Sequence, residues 1–173
     1  MVRMLETLYE PTLFFQSVVK MKLVSENRWH IIAGHSRKII LSTEYRNMRE
    51  NLTAQFRQAR ATILSTHKPN DRWHPNTVEI LKKGSDTYCV AVLALWLWKM
   101  KDTGNYLKPI ADSIQDAGIV KNDRKIIDVV QNRHFHPKST EDLLIVSLYE
   151  IPQRFHEKIR KEQEGRFSEL LQE

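Results

Sequence analysis

The chain has 173 residues, 41% hydrophobic and 28% charged, enough for one domain with a real core and too few for several. Lysine and arginine number 27 against 21 acids, a net charge of +6 that favours polyanionic partners through long-range attraction and counterion release. The single cysteine, Cys89, excludes a disulfide framework and a cysteine-ligated zinc site. No run approaches the roughly 18 apolar residues of a membrane span, and Glu6 and Glu10 interrupt any signal-peptide core. An intracellular, cytoplasmic protein with no membrane partner is the expectation.

The first element is a strand from Leu13 to Val24, where Lys20 and Lys22 alternate with Val19, Met21 and Leu23 and so leave one wet face. Spacings of three and four among Tyr45, Met48, Leu52, Phe56, Ala59 and Ile63 then specify a helix running to about Ser65, with Thr43 as its N-cap. The stretch from His67 to Ser85 is dense in turn-formers and reads as a long loop, with one short helical turn near Val78 to Leu81. Thr87 to Trp98, TYCVAVLALWLW, is a continuous apolar run and reads as a buried central strand.

A short helix from Asn105 to Asp116 follows, closed by Gly118, with Pro109 tolerated in its first turn. Lys125 to Phe135 and Leu143 to Tyr149 read as two strands joined as a hairpin. After Pro152 the chain is highly charged, with weak apolar periodicity at Phe155, Ile159, Phe167 and Leu170. The fold class is therefore α/β, in the α+β sense: a mixed β-sheet flanked by helices over residues 1–151, plus a charged C-terminal helical tail over 152–173.

Asp102 lies just beyond a buried strand, while Asn105, Lys108 and Asp112 share one helical face. Asn122 and Asp123 precede the next strand and converge on Asp102 if the two strands are neighbours. Two carboxylates suit Mg²⁺, which prefers carboxylate and water oxygens, and cutting a phosphodiester requires both charge neutralisation and a hydroxide. In this arrangement Asp102 and Asp123 hold the ion and Lys108 stabilises developing negative charge. The purely structural alternative is that these aspartates cap strand and helix ends.

The run KDTGNYLKPIADSIQDAGIVKNDRKII, Lys101 to Ile127, resembles the RusA-type Holliday junction resolvase signature: an Asp-x-Asp-Asn segment, a lysine, an aspartate, a glycine and a paired Asp-Asp before a strand. Ser25-Glu-Asn-Arg-Trp-His30 and Ser42-Thr-Glu-Tyr-Arg46 are also similar to segments of that family, so the likeness spans roughly Leu13 to Tyr149. The resemblance implies a RusA-like fold, metal-binding aspartates at Asp102 and Asp123, an active-site lysine at Lys108, supporting residues at Asn105 and Asp112, and a DNA-contacting Lys101. It also implies a homodimer acting on branched, four-way DNA with Mg²⁺, or Mn²⁺ in its place, and a phage or prophage setting. Two departures stand out. Gly104 occupies the place of the second aspartate, and Asn122 replaces the first member of the later pair. Either Asp112 or Asp116 compensates as a metal carboxylate, or the protein binds branched DNA without efficient cleavage. A chance resemblance would leave a basic interaction protein.

Arg28, Arg37 and Lys38, in a loop near the proposed site, are candidate phosphate contacts, and arginines of the long helix (46, 49, 57, 60) are weaker ones. Trp96 and Trp98 read as core, Trp29 and Trp73 as the better stacking candidates. His134 and His136 point the same way along a strand and read as exposed histidines rather than metal ligands. Cys89 is too buried for nucleophilic work.

Overall fold

A computed structural model describes residues 10–24, 30–33, 38–68, 70, 72–97, 106–136, 138 and 140–161, with backbone alone for 30–33 and 38–41. Strand β1 spans Thr12–Met21, β2 His30–Ala33 and β3 Lys38–Leu41. Helix α1 is Thr43–Thr66 and α2 Thr77–Lys83. Next come β4 at Cys89–Leu97, α3 at Leu107–Asp116, β5 at Ile126–Phe135 and β6 at Asp142–Glu150. A 3-10 turn at Asp123–Lys125 leads into β5; a second, Gln153–Phe155, leads into helical turns over 156–161.

The main sheet has the order β1-β6-β4-β5, and β2 and β3 form a separate two-stranded ladder. β6 lies antiparallel to both β1 and β4, whereas β4 and β5 run parallel, so the sheet is mixed as the pattern predicts. The expected β5–β6 hairpin is not formed. β4 sits between those two strands, because its all-apolar sequence is suited to the centre of the sheet, and the chain from β5 to β6 passes over it.

One face of the sheet carries the core. Phe15, Val19 and Met21 of β1, Leu144, Val146 and Leu148 of β6, and Leu93 and Leu95 of β4 are buried against Tyr45, Met48, Leu52 and Phe56 of α1 and Ile110 and Ile114 of α3. The helical spacing within α1 is thus the spacing of its buried stripe. Its N-cap is Ser42 rather than Thr43: the Ser42 backbone is extended and its Oγ accepts from Tyr45 N at 3.1 Å. Pro109 falls in the first turn of α3, where its missing N–H costs no bond.

α3 ends in a Schellman arrangement. Gly118 has φ of 69°, its N–H donates to Gln115 O, and Ile119 N–H reaches back to Ile114 O. Arg60 of α1 completes the end, its guanidinium donating to Ala117 O at 3.2 Å and to Leu81 O and Lys82 O of α2 at 2.7 and 3.1 Å. One side chain therefore holds the carbonyl ends of two helices, where partial negative charge gathers. A Cβ on Gly118 would stand 2.9 Å from that same guanidinium.

Candidate functional site

The parallel unit β4–α3–β5 carries the run from Lys101 to Ile127, with residues 101–105 outside the described residues. Lys108 and Asp112, expected on one helical face, are on it: Lys108 Nζ lies 3.7 Å from Asp112 Oδ1, the lysine exposed and the aspartate largely covered. Across the helix interface Arg49 of α1 approaches Asp112 Oδ2 at 3.8 Å and places Nε and Nη2 on Asp116 Oδ2 at 2.9 and 2.6 Å. Burial opposes the charge on Arg49, but its hydrogen bond and attraction to Asp116, with Asp112 adding to them, raise its pKa. Tyr45 beside them has its phenol pKa raised, first by burial and then by the charge of Asp112.

These side chains border a groove of about 570 Å³ between α1 and the end of α3, lined by Tyr45, Arg46, Arg49, Thr53, Arg57 and Asp116. All four α1 arginines considered as a DNA surface have intramolecular partners, Arg46 only through Thr43 Oγ1 at 3.5 Å. Arg49 holds the two aspartates, Arg57 donates to Asp116 O at 2.9 Å, and Arg60 caps two helices. Sequence could not separate these roles, because a charged outer face and a charged interhelical staple use the same residue type.

Asp123 opens the 3-10 turn before β5, half-buried, its N–H donating to Gln115 Oε1 at 2.9 Å. Asn122 is the cap of that turn, its Oδ1 accepting from Arg124 N at 3.0 Å. The two strands flanking the motif are neighbours, as anticipated, but their parallel register puts Ile126 opposite Cys89. Asp123 therefore stands at the end of the sheet where β4 begins, while β4 finishes at Leu97, eight residues and about 26 Å further along. Asp102, Asn105, Lys101, Arg28 and Arg37 lie outside the described residues, and Lys38, expected in a loop, is instead the first residue of β3, opposite Ala33.

Mg²⁺ needs anionic oxygens that are free to turn toward it. Asp123 fits that requirement. Asp112 does not, because each of its oxygens faces a cation and ligation would mean giving up Lys108 or Arg49. Among the described residues no three of His, Cys, Asp and Glu converge as a ligand set.

Trp96 is a correction. It was expected in the core, yet it is half-buried on the sheet face away from the helices, where its indole stacks on the exposed His134 ring at 4.9 Å and 19°. Trp73, one of two candidates for stacking or packing, is half-buried and packs: it forms a β-bridge with Leu13 and lies edge-on against His67. The alternation that separates the two faces of β4 was invisible in sequence because both faces are apolar. Glu150 was missed as well. Its carboxylate accepts from Thr87 Oγ1 at 2.5 Å and lies 3.6 Å from His74 Nε2, joining the loop before α2 to the sheet.

Among the described residues no helix is long and apolar enough to cross a membrane. No protein-family model matches this chain, and no curated protein matches it.

Proposed function

We propose that the protein is a RusA-like, Mg²⁺-dependent endonuclease that acts as a homodimer on four-way DNA junctions. The observation that carries this reading is that one β4–α3–β5 crossover bears the whole motif-like run, with the Lys108 ammonium exposed at the first turn of α3. Lys108 is placed to meet a phosphate and to offset the charge that develops as its ester bond breaks. Asp112 orients Lys108 from one turn away, and Arg49 fixes Asp112 in turn. Asp102 and Asp123 would hold the metal, which when bound supplies Lewis acidity and a hydroxide, on the condition that residues 98–105 return Asp102 along the sheet toward Asp123, which stands about 26 Å from the end of β4. A two-fold junction cut at two symmetric positions is matched by a C₂ dimer.

A second reading, binding of branched DNA without efficient cleavage, is favoured by a specific observation. Asp112 is charge-compensated on both oxygens, and Asn122, at the place of an aspartate, is used as a turn cap. Neither supplies the carboxylate missing at Gly104.

The test is to incubate a labelled synthetic junction and a matched duplex with Mg²⁺, with Mn²⁺ and with EDTA. Paired, metal-dependent nicks on the junction are expected, lost in Asp123→Asn and reduced by about 10²-fold in Lys108→Ala, the scale of removing one stabilising donor. Tight junction binding with no nicks selects the second reading, and equal activity in Lys108→Ala removes the lysine from the mechanism.

A further inference from the structure

Among the described residues, α1 and α3 pack on one face of the sheet. On the other, Phe155 and Ile159 pack over Val90 and Ile151 at the end where β4 begins, and among the described residues the remainder stays open: Val18 is 57% exposed in mid-strand. The register sets one row across that open part, Lys20 of β1, Leu143 of β6, Trp96 of β4 and His134 of β5. The 4.9 Å between the Trp96 and His134 rings equals the spacing of neighbouring strands, and their planes are 19° apart. Both rings therefore stand on edge on the sheet, face to face. The second face of the Trp96 indole is directed toward β6, over Leu143, and there a pocket of about 280 Å³ opens, lined by Lys20, Trp96, His136, Glu141, Asp142 and Leu143.

The walls of that pocket are two strands apart, about 10 Å from the Trp96 backbone to that of Lys20. That gap is about two steps of the stacking distance already seen between Trp96 and His134, so it has room for one further flat ring. Leu143 gives an apolar floor. The exposed Lys20 ammonium closes the far side, where it can lie over the π-face of an inserted ring or meet a phosphate next to it. Asp142 is 1% exposed and accepts from Leu23 N–H at 2.9 Å, so it acts as a fixed wall.

We infer that this slot takes one unpaired nucleobase of a DNA strand, stacked on Trp96 as the third ring after His134. The inference rests on the reading of the protein as DNA-binding and adds how a strand opened at a branch is gripped. A base in duplex has both faces occupied by its neighbours and cannot enter. A slot of this kind therefore selects unpaired nucleotides by shape, while the +6 charge of the chain holds their backbone.

The test uses a short single-stranded oligodeoxynucleotide carrying one 2-aminopurine, the free 2-aminopurine nucleotide and a matched duplex. It compares the wild-type protein with Trp96→Leu, Trp96→Phe and Lys20→Gln. Quenching of 2-aminopurine on binding is expected, with affinity for the single strand about ten-fold weaker in Trp96→Leu, largely kept in Trp96→Phe, and reduced in Lys20→Gln, an exposed position that leaves the fold intact. Binding by the wild type without quenching, no single-strand binding, or equal affinity in Trp96→Leu and Lys20→Gln would overturn the slot. So would equal binding of the free nucleotide, which would make this a nucleotide pocket rather than a strand grip. Junction nicking that survives loss of these signals leaves the endonuclease reading standing, and quenching without nicking leaves the slot standing.

Discussion

Cys89 shows how one residue's environment decides its chemistry. Its side chain is fully buried at the start of β4, with Sγ donating to Thr87 O at 3.3 Å and lying 3.7 Å from Ser85 Oγ. Burial pushes the thiol from 9.0 up to about 12, which removes it as a nucleophile at neutral pH. Because the folded pKa lies above the unfolded one, the unfolded chain loses its thiol proton first. The stabilisation is complete below 9 and is lost as the pH rises toward 12, at about 1.4 kcal/mol per pH unit in that window. Urea unfolding at about pH 8 and about pH 10.5 should show roughly 2 kcal/mol more loss in the wild type than in Cys89→Ala. Equal losses would mean that the thiolate is accommodated in the fold. The Trp96 indole and the Arg49 guanidinium make the same point: neither residue's role follows from its type, only from what stands next to it.

Among the elements, the helices were the most legible and the strand partners the least. The buried stripe of α1 was read correctly because a period near 3.6 belongs to one segment alone. Its start was displaced by one position, since Ser42 and Thr43 are both capping types and only the extended backbone at Ser42 distinguishes them. Ser42→Ala should therefore cost about 1 kcal/mol in thermal or urea melts and Thr43→Ala much less. The reverse order would place the cap at Thr43. Gly118 was also legible as the end of α3, but the arginine that seals it was not. Arg60 lies 57 residues away from the carbonyl of Ala117, a separation that no local pattern reports. The β5–β6 hairpin failed for the same reason: turn-formers between two strands show that the chain turns, not which strand it then lies beside.

For the molecule as a whole, the outcome turns on how charge is distributed. Much of the basic charge on α1 is used internally, through Arg49 on Asp116, Arg57 on the end of α3 and Arg60 on two helix ends. The number of cations left to meet phosphates is therefore smaller than the sequence suggests. Affinity for DNA should fall linearly in a plot of log K against log salt, with a slope near −0.9 for each phosphate neutralised on duplex arms and near −0.7 on single strands. Lys108→Ala and Lys20→Gln should each reduce that slope by about one contact, and Arg60→Lys should leave it unchanged while lowering stability. A slope altered by Arg60→Lys would show that this arginine reaches DNA after all.

By itself the sequence determined the mixed α/β character, the order and approximate limits of the helices and of the four main-sheet strands, though not the β2–β3 ladder, which it read as loop, together with the buried stripe of α1, the inert cysteine and the basic charge. Each depends on composition or on a repeat within one segment, where neighbours in sequence are neighbours in space. The tertiary structure alone decided that β6 lies between β1 and β4, that β4 and β5 run parallel with Asp123 at the starting end of β4, and that Asp112 is held by cations from two directions. It alone turned Trp96 toward the open face. These are contacts between distant segments, set by which apolar faces bury each other most completely, and a uniformly apolar strand such as β4 gives no sign in sequence of which face that will be.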